Sequence, residues 1–177
     1  LIVLNEFIEL NAETSFKHYF DSNDNGCIEP LEFGNQIWVD SRLEVIDLSY
    51  PSTPISNLEG EIEDYRLTFI PDNIGNLNAL RQLKLNDNDL TLLPASINNL
   101  TNLTDLEISN NSFQSLPDDL NALSSLKNLI ISDNEIIKLP ETIISLESLE
   151  QLWANGNLLD TQIISILAHE IKEININ

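Results

Sequence analysis

Several residue types are scarce in this chain of 177 residues, and each shortage excludes a class of structure or site. The chain has one cysteine, two histidines, five glycines and no methionine. A single cysteine excludes an internal disulfide framework. The glycines form no phosphate-binding loop or dinucleotide fingerprint, and no G-x-S-x-G motif occurs. His18 and His169 lie near opposite ends of the sequence, so we expect no site that uses both and no enzyme activity.

Basic residues are also few. Eight lysines and arginines oppose 29 acidic residues, which gives a formal net charge of −21. This charge repels nucleic acid and anionic membranes and favours cations or basic partners. No apolar run is long enough for a membrane span or a signal peptide. Because the chain starts at Leu1, we expect a processed product or an excised fragment; its 42% hydrophobic content is enough for a core.

The most specific metal motif is the stretch DSNDNGCIEPLE at residues 21–32. Its spacing, D-x-N-x-N-G-x-I-x-x-x-E, resembles the EF-hand calcium loop, in which Gly26 would occupy the sharp turn. Glu29 at the ninth position would ligate directly or through water. The resemblance implies Ca²⁺ as the cofactor, with the following ligands: Asp21, Asn23, Asn25, the backbone carbonyl of Cys27, and both carboxylate oxygens of Glu32.

The calcium loop has few carboxylates, since two of its oxygen donors are amides. We therefore expect weak affinity, with a Kd of roughly 10⁻⁴ to 10⁻³ M. The alternative is an Asx-rich turn that binds no ion. Turn chemistry alone does not require Gly26 and Glu32 at these offsets, and the spacing favours the calcium site.

From Leu80 onward the sequence repeats itself every 23 residues. The four phrases are LRQLKLNDNDLTLLP, LTDLEISNNSFQSLP, LKNLIISDNEIIKLP and LEQLWANGNLLDTQI. Their pattern, L-x-x-L-x-L-x-x-N-x-L-x-x-L-P, resembles the leucine-rich repeat family. The resemblance implies an α/β fold, a curved solenoid with a parallel sheet on its concave side and short helices or extended segments on its convex side.

Alternation of apolar and polar residues independently predicts one buried strand in each phrase. These strands are centred on Leu83, Leu106, Leu129 and Leu152. Asn88, Asn111, Asn134 and Asn157 form a column that we expect to satisfy backbone groups of the turns. Pro71, Pro94, Pro117 and Pro140 form a second column, and each precedes apolar residues that would bury the convex segment. Ala154 at a core position predicts looser packing in the fourth unit.

Both ends of the array depart from the pattern. LEVIDLS, at residues 43–49, and the ending IKEININ each have strand spacing. The last strand would leave an open edge, so self-association through it is an alternative. Register between Tyr50 and Ile70 is undetermined, and we favour a compressed strand around Ile62 over a convex segment.

The calcium loop has predicted helices on both sides, FIELNAETSFKHYF before it and PLEFGNQIWV after it. We expect this helical EF-hand-like cap at residues 1–42 to cover the solenoid at residues 43–177. The arrangement resembles N-terminal units of secreted bacterial leucine-rich repeat proteins. That resemblance implies an extracellular or cell-surface location, with a cytoplasmic one as the alternative.

Side chains between the inward leucines would project from the concave face. One predicted column contains Lys84, Glu107, Ile130, Trp153 and Asn175, and its flank contains Gln82, Asp105, Asn128 and Gln151. Ile130 and Trp153 are apolar where any residue is tolerated, so we predict that this face binds another protein. Alternatively, Trp153 only covers its own strand beside Ala154.

These features together favour a non-catalytic protein-recognition module with a structural calcium site. Two alternatives remain open from the sequence. One is an acidic calcium-binding structural protein of a surface or matrix. The other is an accessory fragment of a larger enzyme.

Overall fold

The computed structural model describes residues 35–40, 42–50, 66–160 and 171–176. These residues form one seven-stranded sheet in which the strands follow sequence order. The strands are β1 (Asn35–Val39), β2 (Arg42–Asp47), β3 (Gln82–Lys84), β4 (Asp105–Glu107), β5 (Asn128–Ile130), β6 (Gln151–Trp153) and β7 (Glu173–Asn175). Strands β2 to β7 are parallel, and β1 runs antiparallel to β2 at the edge.

The inward side chains of consecutive strands stack in one continuous core. Leu83 pairs with Leu106, Leu106 with Leu129, and Leu129 with Leu152, which confirms the four predicted strands. Gln82 on β3 and Asp105 on β4 are 23 residues apart in sequence and are partners in this register. Since stacked units share apolar side chains, each repeat buries a face that it could not bury alone.

The segment opposite the sheet begins with proline in every described unit. Pro71, Pro94 and Pro140 have φ of −68°, −66° and −63°, and each precedes a 3₁₀ helix. The helices are Asp72–Asn76, Ala95–Asn99 and Glu141–Ser145. Proline suits this position because its fixed φ matches the turn and its missing N–H leaves no donor unpaired. As predicted, the apolar residues after the prolines, Ile74, Ile97, Leu120 and Ile143, are buried.

The asparagine column satisfies backbone groups of the turns, as the sequence predicts, and its hydrogen bonds link neighbouring repeats. Asn88 and Asn134 are buried in this ladder, and Asn111 and Asn157 are partly buried. The side-chain amide nitrogen of Asn134 donates to the carbonyl oxygens of Ile108, Ile131 and Ser132 at 3.0 to 3.1 Å. Its amide oxygen accepts from the backbone N–H of Phe113 at 3.1 Å. The same pattern recurs at Asn88, Asn111 and Asn157. In each case the amide oxygen accepts from a backbone N–H 21 residues upstream, and the amide nitrogen donates to carbonyl groups directly after two neighbouring strands.

The sequence predicted a helix after the calcium loop, and this prediction is wrong for Asn35–Val39, which forms strand β1. This segment contains isoleucine, tryptophan and valine, which favour strands, and β2 offers an edge with which its backbone can pair. Asp40, with φ of 47°, lies between the two strands. Strand β1 thus belongs to the sheet, although its residues fall within the predicted cap. The other predicted cap residues, 1–34, lie outside the described part of the chain.

Strands β2 and β3 pair directly. The strand predicted around Ile62 lies outside the described residues. At the other end, β7 confirms the strand predicted in the ending. Ile174 in β7 packs half-buried against the core, as do Ile171 and Ile176 on either side of the strand.

Candidate functional site

The candidate site is the open face of the sheet, formed by the strand residues that point away from the core. Because neighbouring strands pair in register, these residues form two rows that cross the strands. The first row contains Ile37, Val45, Gln82, Asp105, Asn128, Gln151 and Glu173. The second row contains Asn35, Asp47, Lys84, Glu107, Ile130, Trp153 and Asn175. The structure therefore brings together all the residues that the sequence predicted for the partner face.

Ile130 and Trp153 are an apolar pair in the second row. They are direct partners on β5 and β6, and Trp153 is 38% exposed. Leu152, the inward residue of β6, and Ala154, which follows the strand, are both buried in the core. The tryptophan ring is thus available to solvent on a strand whose other face is already packed.

Lys84 and Glu107 form an ion pair in the middle of the second row. The Nζ atom of Lys84 lies 2.8 Å from Oε1 of Glu107, and Asn86 donates to Oε2 of the same carboxylate at 2.9 Å. The hydrogen bond to Glu107 raises the pKa of Lys84, as do the nearby charges of Glu107, Asp47 and Asp105, while burial opposes them. Lys84 therefore stays protonated at neutral pH, and its charge is already paired with Glu107.

Asp105 lies beside this pair in the first row and is held by polar neighbours. Its carboxylate accepts hydrogen bonds from the Thr104 hydroxyl at 2.6 Å, from the side-chain amide of Gln82 at 3.4 Å and from that of Asn128. Asp47 at the end of β2 accepts from the backbone N–H of Ser49 at 3.1 Å. The centre of the open face thus has three carboxylates and one lysine, an excess of two negative charges.

A second apolar pair, Ile37 and Val45, lies on the open face and was not predicted from the sequence. These residues are direct partners on β1 and β2, and Ile37 is 55% exposed. The alternation of Ile46 and Leu48 was a signal that Val45 points away from the core. Ile37 had no comparable signal, because its position depends on the antiparallel pairing of β1.

Within the described ranges, no three His, Cys, Asp or Glu side chains lie together in a way that could hold a metal ion. The calcium ligands predicted between Asp21 and Glu32 lie outside these ranges. No helix within them is long and apolar enough to cross a membrane.

Solved structures place this fold among known proteins. A leucine-rich repeat protein of Leptospira interrogans is 28% identical, with a TM-score of 0.58 over 63% of this chain and 29% of its own. The ectodomain of the receptor kinase SOBIR1 from Arabidopsis thaliana is 24% identical, with a TM-score of 0.55 over 81% of this chain and 78% of its own. A chain of the BIR3–SERK2 complex from Arabidopsis thaliana is 21% identical, with a TM-score of 0.68 over 97% and 92%.

The sequence spans less than a third of the Leptospira chain, and no curated protein matches it significantly. A family profile gives a more direct assignment. The profile of a leucine-rich repeat region matches residues 57–173. This match covers more than half of the chain and includes strands β3 to β6, with their asparagine ladder and proline column. The chain therefore belongs to the leucine-rich repeat family.

Proposed function

We propose that this chain is a non-catalytic protein-recognition module that binds a partner through the open face, centred on Ile130 and Trp153. The observation that carries the proposal is the exposed tryptophan beside an isoleucine on the open face, next to strands that present only polar or charged residues. Aromatic side chains in apolar surroundings provide most of the binding energy in many interfaces. The repeat fold supports this function, since stacked repeats present an extended surface on rigid strands.

Charges near the pair indicate the chemistry of the partner's rim. Glu107 flanks Ile130 in the second row. Glu150 directly precedes β6, and Asp133 follows the end of β5 by three residues. Glu150 forms an ion pair with Lys172, whose Nζ atom lies 3.2 Å from Oε1 of the carboxylate. Asp133 is exposed to solvent. A partner with basic residues at its rim fits this surface. Such charges raise the association rate more than the affinity, and salt weakens their effect.

Replacing Trp153 with alanine is expected to weaken binding of an identified protein partner by at least about 10-fold. Truncation of an anchoring tryptophan typically costs about 2 kcal/mol or more. Glu107→Gln should change mainly the association rate, because a rim charge steers encounter. Surface plasmon resonance with the partner immobilised would measure the dissociation constant and the association rate of each variant.

The matched control is Leu92→Ala, which removes an exposed apolar side chain away from the open face. It should leave the affinity unchanged. Wild-type affinity in Trp153→Ala would show that the partner binds elsewhere, and the proposal would be wrong.

We also propose that Ca²⁺ binds the loop at residues 21–32 and stabilises the fold; this part rests on the sequence motif alone. An ion that binds only the native state adds about 2.7 kcal/mol at a hundredfold excess over Kd. For a Kd of roughly 10⁻⁴ M this excess is about 10 mM calcium, so the unfolding temperature should rise in 10 mM calcium and fall again when a chelator is added. Glu32→Gln should remove the shift, because the loop loses a charged bidentate ligand. Melting curves that ignore both calcium and chelator would contradict the site.

We place this function outside the cell or at its surface. The support is the similarity of the fold to the receptor-kinase ectodomain, together with the calcium motif. Fractionation of the source cells, with antibody detection of the chain, would test the location.

A further inference from the structure

We propose that the open face binds an extended protein segment that crosses the strands, with an apolar side chain at each end and basic side chains between them. This inference rests on the proposed function and specifies its ligand. It adds a second anchoring point, Ile37 and Val45, to the pair Ile130 and Trp153.

The first supporting observation is that apolar residues on the open face occur at two separate places. Ile37 and Val45 pair across β1 and β2, while Ile130 and Trp153 pair across β5 and β6. Strands β3 and β4, between the pairs, present only polar or charged residues: Gln82, Lys84, Asp105 and Glu107. A partner that touched only one pair would leave the other exposed to water.

The spacing of the two pairs matches an extended segment of seven residues. Their centres are four strand spacings apart, about 19 Å, and they lie in different rows, about 7 Å apart along the strands, so the separation is about 20 Å. An extended chain advances about 3.3 Å per residue, so about six steps cover this distance. Residues separated by an even number of steps point to the same side of an extended chain. Apolar side chains at the first and seventh positions would therefore both face the sheet.

The charge between the pairs selects basic residues for the middle of the segment. Asp47, Asp105 and Glu107 surround the single lysine, Lys84, whose ammonium group is bonded to Glu107. Two carboxylates thus have no cationic counterpart among these four groups. Basic residues at the third and fifth positions of the segment would face them, because these positions lie on the same side as the apolar ends.

The same charge makes other occupants unfavourable. Nucleic acid is repelled by a chain with a formal charge of −21. A second copy of the chain would bring its own acidic open face against this one. A basic segment of another protein is the occupant that matches both the apolar ends and the acidic centre.

The probe for this inference is the synthetic peptide acetyl-Leu-Ser-Arg-Ser-Arg-Ser-Leu-amide. Its side chains read the same from either end, so the chain direction does not affect the test. The matched control peptide, acetyl-Leu-Ser-Arg-Ser-Arg-Leu-Ser-amide, has the same composition but turns its second leucine to the opposite side. Titration of the ¹⁵N-labelled full chain by NMR would give Kd and show which strands respond.

The first peptide is expected to shift the amide signals of both pairs and to bind at least about fivefold more tightly than the control peptide. Ile37→Ser should weaken the first peptide by about fivefold, the loss expected when a half-exposed isoleucine no longer becomes buried. Val45→Thr, which keeps the β-branched shape, should act in the same direction if Ile37→Ser perturbs the edge strand. Asp47→Asn keeps an acceptor for Ser49 but should reduce the affinity and its dependence on salt. Leu92→Ser, outside the open face, should have no effect.

The possible failures are distinguishable. If Trp153→Ala weakens the peptide while Ile37→Ser and Val45→Thr do not, the second anchor is wrong and the proposed function stands. If Ile37→Ser weakens peptide binding but Trp153→Ala does not, the proposed binding site centred on Ile130 and Trp153 is wrong. Equal affinity for both peptides, an equal effect of Leu92→Ser, or no binding of either peptide would overturn the extended-segment inference.

Discussion

Replacing Phe113 with alanine is expected to lower the free energy of unfolding by about 3 to 5 kcal/mol. Phe113 is 0% exposed and follows the ladder residue Asn111 by two positions, where neighbouring repeats have Leu90 and Ile136. The substitution would open a cavity in the core that the surrounding close-packed side chains can fill only in part. Urea unfolding followed by circular dichroism would measure the loss as a lower midpoint at unchanged slope.

Two variants control for this effect. Phe113→Leu installs the residue found at this position one repeat earlier and should cost less than about 1.5 kcal/mol. Leu92→Ala, at an exposed position, should stay within about 0.5 kcal/mol of the wild type. A wild-type midpoint for Phe113→Ala would mean that the ring is not in the core.

Replacing Asn134 with alanine is expected to cost about 3 kcal/mol of stability. The change would leave the N–H of Phe113 without its acceptor and deprive the carbonyl groups of Ile108 and Ile131 of a donor. Each buried polar group left unsatisfied costs about 1 to 3 kcal/mol, although water that enters the vacated space recovers part of this. The free energy from urea unfolding is the measure here too.

The matched control is Asn102→Ala, because the side chain of Asn102 is exposed and donates to the carbonyl oxygen of Asn78. It should cost less than about 1 kcal/mol. Comparable losses in the two variants would show that the buried ladder has no special energetic role.

The repeat pattern predicted most of the sheet because a buried strand needs alternating apolar residues, and stacking needs the same alternation in each unit. Leu83 and Leu106 could therefore be aligned from sequence, as could the ladder formed by Asn88 and Asn111. The paired positions of Ile130 and Trp153 followed from the same periodicity. Their binding role remains a prediction, because exposure alone does not identify a partner.

The first strand could not be predicted in this way, because β1 is not a repeat unit. Its apolar residues are consecutive, from Ile37 to Val39, and its register with β2 shifts between Ile37 and Trp38. The shift skips Glu44 on β2, so the pairing of the two strands cannot be aligned from a two-residue period. Strands β2 and β3 pair directly although 34 residues, from Leu48 to Arg81, separate them in sequence. This pairing also depends on tertiary contacts that a local sequence pattern does not reveal.

The constant sequence separation between paired residues on neighbouring strands also affects how the chain can fold during synthesis on the ribosome. Partners on β3 and β4 are 23 residues apart, and so are partners on β4 and β5, so each pairing closes a loop of the same moderate length. A ribosome adds about 5 to 20 residues per second, so the next partner strand is synthesised within about 1 to 5 s. Each unit can therefore dock on its predecessor during synthesis, and a longer array would need more time on the ribosome but no slower folding step.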